Sequence, residues 1–357
     1  FGFYVQRLHT KYCNISYIVR IYKEILLRAM NNLAILSKYR AQIMGIAIIW
    51  IMLYHYNFNT NLFLNSFIIF GYGGVDIFIF LSGYGLYYSS LKSLKIGAFY
   101  KKRAERILPI YLFSILLWGG LKGESLKTVF LEMTTLGFIL PFLQIPTFDW
   151  YIPAIIILYL IFPFYIKCFQ KNARLATIIL FTIGIILSLI YSVLLLRDYS
   201  LNNTFILLTS RIPIFSLGVL TGKLSQTDMH VSSNALYFLA IVGLLLLGIL
   251  YLFVPFNYMW NLALFWYPFI LITPGLCLFL ATLFSKSFGW LKRTLSFLGG
   301  ISLELYLVHF NLKYYLTDLQ FKLGISQNVA LMILFVFSII LAYAMSKIIS
   351  YNNGKKS

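Results

Sequence analysis

Apolar segments follow one another from about Gln42 to Ile349 with only short polar breaks, and most are long enough to cross a bilayer. A hydrocarbon core takes about 20 apolar residues per helix. In lipid a backbone must satisfy its own amides, which leaves helices and closed barrels. The runs are too long for barrel strands, so the pattern predicts an all-α polytopic membrane protein of about ten transmembrane helices. The spans fall near residues 41–58, 70–90, 107–121, 150–168, 175–196, 204–222, 234–254, 262–284, 298–315 and 328–349. Composition excludes the main alternatives. Only 11% of residues are charged and 61% are hydrophobic, whereas soluble domains carry roughly 25% charge. A soluble multidomain enzyme and a disordered chain are both ruled out.

The 29 Lys and Arg outnumber the 10 Asp and Glu. Such an excess often marks a nucleic-acid binder, but the distribution fits the positive-inside bias of membrane proteins, and no nucleic-acid partner is expected. With the N-terminus inside, all but Lys122, Lys127, Arg197, Arg211, Lys313 and Lys322 fall on the inner side. The expected topology is therefore N-in and C-in. Residues 122–149 carry Glu132, Pro141 and Pro146, which suits a re-entrant or interfacial segment; an eleventh span would invert all that follows. Residues 1–37 form a basic N-terminal segment, 38–350 the transmembrane domain and 351–357 a short cytoplasmic tail. Between Ile15 and Met30, apolar residues alternate with Arg20, Lys23 and Arg28, a pattern open to an interfacial amphipathic helix or a disordered basic tail. No short hydrophobic stretch followed by a small-residue cleavage site precedes the first span in this sequence, so insertion by its own helices is expected. Cys13, Cys168 and Cys277 show neither disulfide nor metal spacing, so no metal site is expected.

Ionisable groups within spans are expensive and point to function. His55, in IAIIWIMLYHYNF, lies toward the outer end of the first span. It reads either as a general base or as a helix-end histidine at headgroup level. Asp76, in GYGGVDIFIFLSGYG, enters the second span from outside at similar depth. It could orient the imidazole as in a triad, cap a helix, or pair with Arg211. FYKKRAERILPIY places Lys101, Lys102, Arg103 and Arg106 at the inner edge, with Arg103 and Arg106 on one helical face. That cluster suits phosphates as well as simple topology. Arg211, in SRIPIFSLGVLTG, starts a span from the outer side and could hold Asp76, Glu304 or an anionic substrate group. Glu304 and His309, in FLGGISLELYLVHF, lie about 140° apart around a helix, while Ser302, Tyr306 and His309 form one polar stripe.

Taken in order, these segments and WYIPAIIILYLIFPF resemble the acyltransferase-3 family of integral membrane acyltransferases, over about Lys38 to the last span. The resemblance implies ten transmembrane helices and transfer of an acyl group, commonly acetyl from cytoplasmic acetyl-CoA, onto a hydroxyl of a cell-surface or exported glycan. Acetyl-CoA would be the donor substrate, and no permanently bound cofactor is implied. The family histidine corresponds to His55 and its Arg-x-x-Arg element to Arg103 and Arg106, near the CoA phosphates with Lys102. The Asp of the second-helix motif falls on Asp76. His55 and Asp76 are thus the catalytic candidates, and Arg211, Glu304 and His309 the acceptor-binding ones. The family often has an Arg eleven residues before the His; here that position is Met44, with Arg40 one turn further inward. The implied setting is a bacterial cytoplasmic membrane, with the bilayer, a glycan or lipid-linked saccharide and possible glycan-synthesis proteins as partners. A transporter or flippase for lipid-linked sugars or small anions is the competing class, although no inverted repeat is visible. A purely structural role beside glycan-synthesis machinery is the third.

Overall fold

The computed structural model describes residues 32–354 except 59, 93–94, 136–137, 139–148, 198–203 and 228–230. The possible interfacial helix at Ile15 to Met30, Cys13, Pro141, Pro146 and the end of the tail lie outside the described residues. A 3-10 turn at Asn32–Ala34 leads into α1 (Ile35–Tyr56), which stops at Asn57 in the left-handed region (φ 50). Next come α2 (Leu62–Ile69), a 3-10 turn at Phe70–Gly73, α3 (Gly74–Lys92), α4 (Ile96–Lys122) and the eight-residue α5 (Leu126–Met133). Then follow α6 (Tyr151–Lys171), α7 (Ala173–Arg197), α8 (Phe205–Thr209) and α9 (Ile212–Leu224). The chain continues with α10 (Ser233–Phe253), α11 (Phe256–Asn261), α12 (Tyr267–Lys286) and α13 (Gly289–Gly300). It finishes with α14 (Ser302–Lys313), α15 (Leu316–Leu323) and α16 (Gln327–Gly354).

Among the described residues, nine helical stretches are long and apolar enough to cross a membrane, and α13 with α14 is a bent candidate for the tenth. No strand occurs among them. Pro109, Pro163 and Pro274 lie inside α4, α6 and α12; packed neighbours let membrane helices tolerate the lost hydrogen bond. Between the end of α4 at Lys122 and Thr135 there is only α5, so this described stretch of the uncertain segment contains no span-length helix.

Burial sorts the helices. The spans ending in α3 and α9 are 61% and 78% buried, whereas that of α10 is only 11% buried. The exposed side chains of α10, among them Leu244, Leu245 and Ile249, suit contact with lipid tails. The core therefore forms around α1, α3 and α9, where apolar burial in lipid gives way to close van der Waals packing. At the α3–α9 crossing, a Cβ on Gly83 would overlap the carbonyl oxygen of Phe215, and one on Gly218 that of Phe80. At the α1–α13 crossing, Gly299 abuts the carbonyl of Ala41 and Gly45 that of Leu295. Hydrogen is the only side chain that fits at these contacts.

The ninth span departs from the single helix expected over 298–315. It breaks at Ile301, where the backbone turns to φ −106, ψ 18, and α14 leaves α13 at 72°. Two glycines before the break, Gly299 and Gly300, weaken the helix locally. The seating of Gly299 on α1 then holds α13 in place while α14 takes a new direction. Gly299→Leu should consequently unseat α13 and sharply reduce the yield and melting temperature of monodisperse protein in detergent. Gly248→Ala, at a position with open space around it, should leave both within the small range of ordinary surface changes, about 0.5 kcal/mol.

Candidate active site

The bend after α13 directs α14 along the second half of α1. His55 is held near the end of α1, and His309 on α14 meets it: His55 Nδ1 and His309 Nε2 are 2.8 Å apart. His309 Nδ1 lies 2.8 Å from the carbonyl oxygen of Leu305. A carbonyl only accepts, so His309 carries its proton on Nδ1 and its Nε2 must accept. His55 therefore donates from Nδ1, leaving its own Nε2 with the free lone pair. One backbone carbonyl thus sets the tautomer of both rings. Lys313, one turn beyond His309, donates to the carbonyl oxygen of His55, tying the end of α1 to α14.

Half-buried His55 lines a cavity of about 330 Å³. Its walls are largely aromatic and include Tyr54, Tyr72, Trp150, Trp260 and Trp266, with Arg211 the only Lys or Arg among the described residues that line it. The Arg211 guanidinium lies 5.0 Å from the ring centre of Trp150 and 4.5 Å from that of Trp266. Its Nε is 3.5 Å from Asp76 Oδ1, and its Nη1 donates to Leu207 O at 3.3 Å and Ser210 Oγ at 3.1 Å. Both charges of this pair are almost fully buried. Asp76 is therefore the counter-ion of Arg211. No hydrogen bond joins it to His55 among the described residues, and the partner of that imidazole is His309.

A second cavity, of about 370 Å³, opens at the end where α3 finishes and α4 begins. Arg40, Lys102, Arg103 and Arg106 line it. Arg103 sits 5.4 Å from the Phe99 ring and 5.5 Å from that of Tyr159, contacts that pre-orient a planar guanidinium. Arg106 donates to the carbonyl of Gly300 at 3.3 Å and lies 3.8 Å from Glu304 Oε1. It thereby occupies the exposed carbonyl end of α13, where a cation is favoured. Glu304 belongs to this basic end and does not line the cavity of His55. Met44 faces the basic cavity, and Arg40, one turn away, supplies the cation there, its guanidinium lying over Gly85.

The structure thus gathers His55 and Arg211 at one cavity, with fully buried His309 behind His55 rather than on the wall, and Lys102, Arg103 and Arg106 at another. Tyr306 lines both. Asp149, which hydropathy and motif spacing do not mark, accepts from the amides of Tyr151 and Ile152 at 3.0 and 2.9 Å and has the Tyr306 hydroxyl beside it. Loss of water pushes its carboxyl up to about 6, the two amide donors pulling the other way. An Asp two residues before a helix that carries Pro153 in its first turn was a legible N-terminal signal. The contact of its carboxylate with Tyr306 was not.

The acyltransferase-3 family model, described as an acyltransferase domain, matches residues 43–347. The chain belongs to this family. No curated protein and no solved structure matches it. It is a membrane acyltransferase, and the match spans every candidate residue above except Arg40. In this acyltransferase, removing one member of a buried ion pair strands the other, a loss of about 3–5 kcal/mol. Asp76→Ala should therefore lower thermal stability in detergent severely. The double variant Asp76→Leu/Arg211→Leu should recover much of that loss.

Proposed function

We propose that the protein moves a short acyl group, acetyl in the simplest case, from acyl-CoA to a hydroxyl of a cell-surface or exported glycan. The observation that carries this reading is the tautomer-fixed His55 on the wall of one cavity, with a four-cation cavity on the other side of Tyr306. The charge bias puts the basic end in the cytoplasm, which fits a bacterial cytoplasmic membrane with both termini inside. CoA phosphates bind Lys102, Arg103 and Arg106, with Arg40 deeper in the cavity and Glu304 steadying Arg106. The acceptor sits among the aromatic walls beside Arg211, where flat ring faces and one cation suit a sugar. Nε2 of His55 takes the proton of the acceptor hydroxyl, and the oxygen attacks the thioester carbonyl. The new C–O bond forms as the C–S bond breaks, and the proton passes to the departing CoA thiolate. His309 holds His55 in the required tautomer and shares the charge it gains, the part a carboxylate plays in other triads.

General-base help is worth about 10²–10⁴ in rate, so His55→Ala should lose at least that much transfer of labelled acetyl from acetyl-CoA to membrane glycan. His309→Ala should lower kcat with little change in acetyl-CoA KM. Arg103→Ala/Arg106→Ala should show the opposite split, with KM raised about 10-fold or more, the scale of one charge-assisted hydrogen bond. Full transfer by correctly inserted His55→Ala protein would overturn the assignment of the base. Movement of a labelled saccharide across vesicles without covalent acylation would overturn the transfer reading in favour of transport.

A further inference from the structure

Among the described residues, Tyr306 is the side chain that lines both cavities. It is 8% exposed, with its ring centre 4.9 Å from that of Tyr151 and 5.8 Å from that of His309. Tyr151 in turn packs against Phe78, with ring centres 6.1 Å apart. The basic cavity is therefore polar where Arg40, Lys102, Arg103 and Arg106 line it, and aromatic where Phe78, Tyr151 and Tyr306 close it. The Tyr306 ring is not free to swing. It is packed between the rings of Tyr151 and His309, and its hydroxyl faces Asp149, which is anchored by two amides at the start of α6. A buried ring packed against neighbours in this way keeps one position, because close-packed side chains fill the space it would move into.

We infer that Tyr306 is the partition between the two cavities and the residue that limits the length of the acyl chain. The inference rests on the transfer reading for its substrate but not for its geometry. An acyl-CoA anchored by its phosphates at the basic mouth sends its acyl end toward Phe78, Tyr151 and Tyr306. An acetyl group stops at the ring edge, within reach of the His55 side. A longer chain runs into the ring.

Two measurements test this, and they fail separately. In protein with Cys13, Cys168 and Cys277 replaced, Ser82→Cys places a thiol in the basic cavity. A small charged methanethiosulfonate added to the His55 side of sealed vesicles should not modify it. The reagent should reach the thiol once Tyr306→Ala or Tyr306→Leu removes the ring, while labelling from the basic side persists in every variant. Labelling from the His55 side with Tyr306 present overturns the partition. So does its absence in both ring-less variants when basic-side labelling is retained. This readout needs no activity and stands even if the transfer reading falls. In turnover, the ratio of kcat/KM for hexanoyl-CoA to that for acetyl-CoA should rise at least 10-fold in Tyr306→Ala and Tyr306→Leu. It should change little in Tyr306→Phe, which keeps the ring. An unchanged ratio in both ring-less variants overturns the length limit, whereas a wild type that transfers no acyl group overturns the proposed function instead.

Discussion

The close contact of α1 with α13, glycine against carbonyl at Gly45 and Gly299, sets the geometry from which the two cavities follow. Lipid offers no hydrophobic drive between helices, so backbones that touch must do so through small residues and tight packing. With α13 fixed against the first half of α1, the break at Ile301 lets α14 turn toward its second half. That turn brings His309 to His55 and puts Tyr306 between the cavities. Arg106 closes the arrangement by bonding the carbonyl that the break exposes at Gly300.

Charges are separated along the same axis. Four cations line one cavity, whereas Arg211 in the other is neutralised by Asp76 and covered by Trp150 and Trp266. A low-dielectric interior makes each stranded charge costly, so Asp76 cannot serve two partners well. Pairing with Arg211 leaves the orientation of His55 to a neutral donor–acceptor chain that ends on the Leu305 carbonyl. Such a chain fixes a tautomer without adding a net charge to the membrane interior.

The spans, the inventory of intramembrane ionisable groups and the family were legible from residue order, because hydropathy and motif spacing are local properties. The polar stripe Ser302, Tyr306 and His309 was also visible from helical periodicity, and the structure sets Ser302 and Tyr306 on the basic cavity. Less was legible wherever two distant segments had to meet. Asp76 and His55 lie at comparable positions on successive spans, which suggested a pair. Nothing in either segment reveals that Arg211, 135 positions further along than Asp76, packs closer. Glu304 carries no local mark of belonging to Arg106 rather than to the aromatic cavity.

By itself the sequence determined that the chain crosses a membrane many times as helices, because no other backbone arrangement with such runs satisfies its amides in hydrocarbon. It also determined which few side chains are out of place there. Only the tertiary structure decided how they pair: His55 with His309, Asp76 with Arg211 and Glu304 with Arg106. Partner choice depends on where helices cross and bend, and that follows from backbone contacts at a few glycines that one-dimensional spacing cannot resolve.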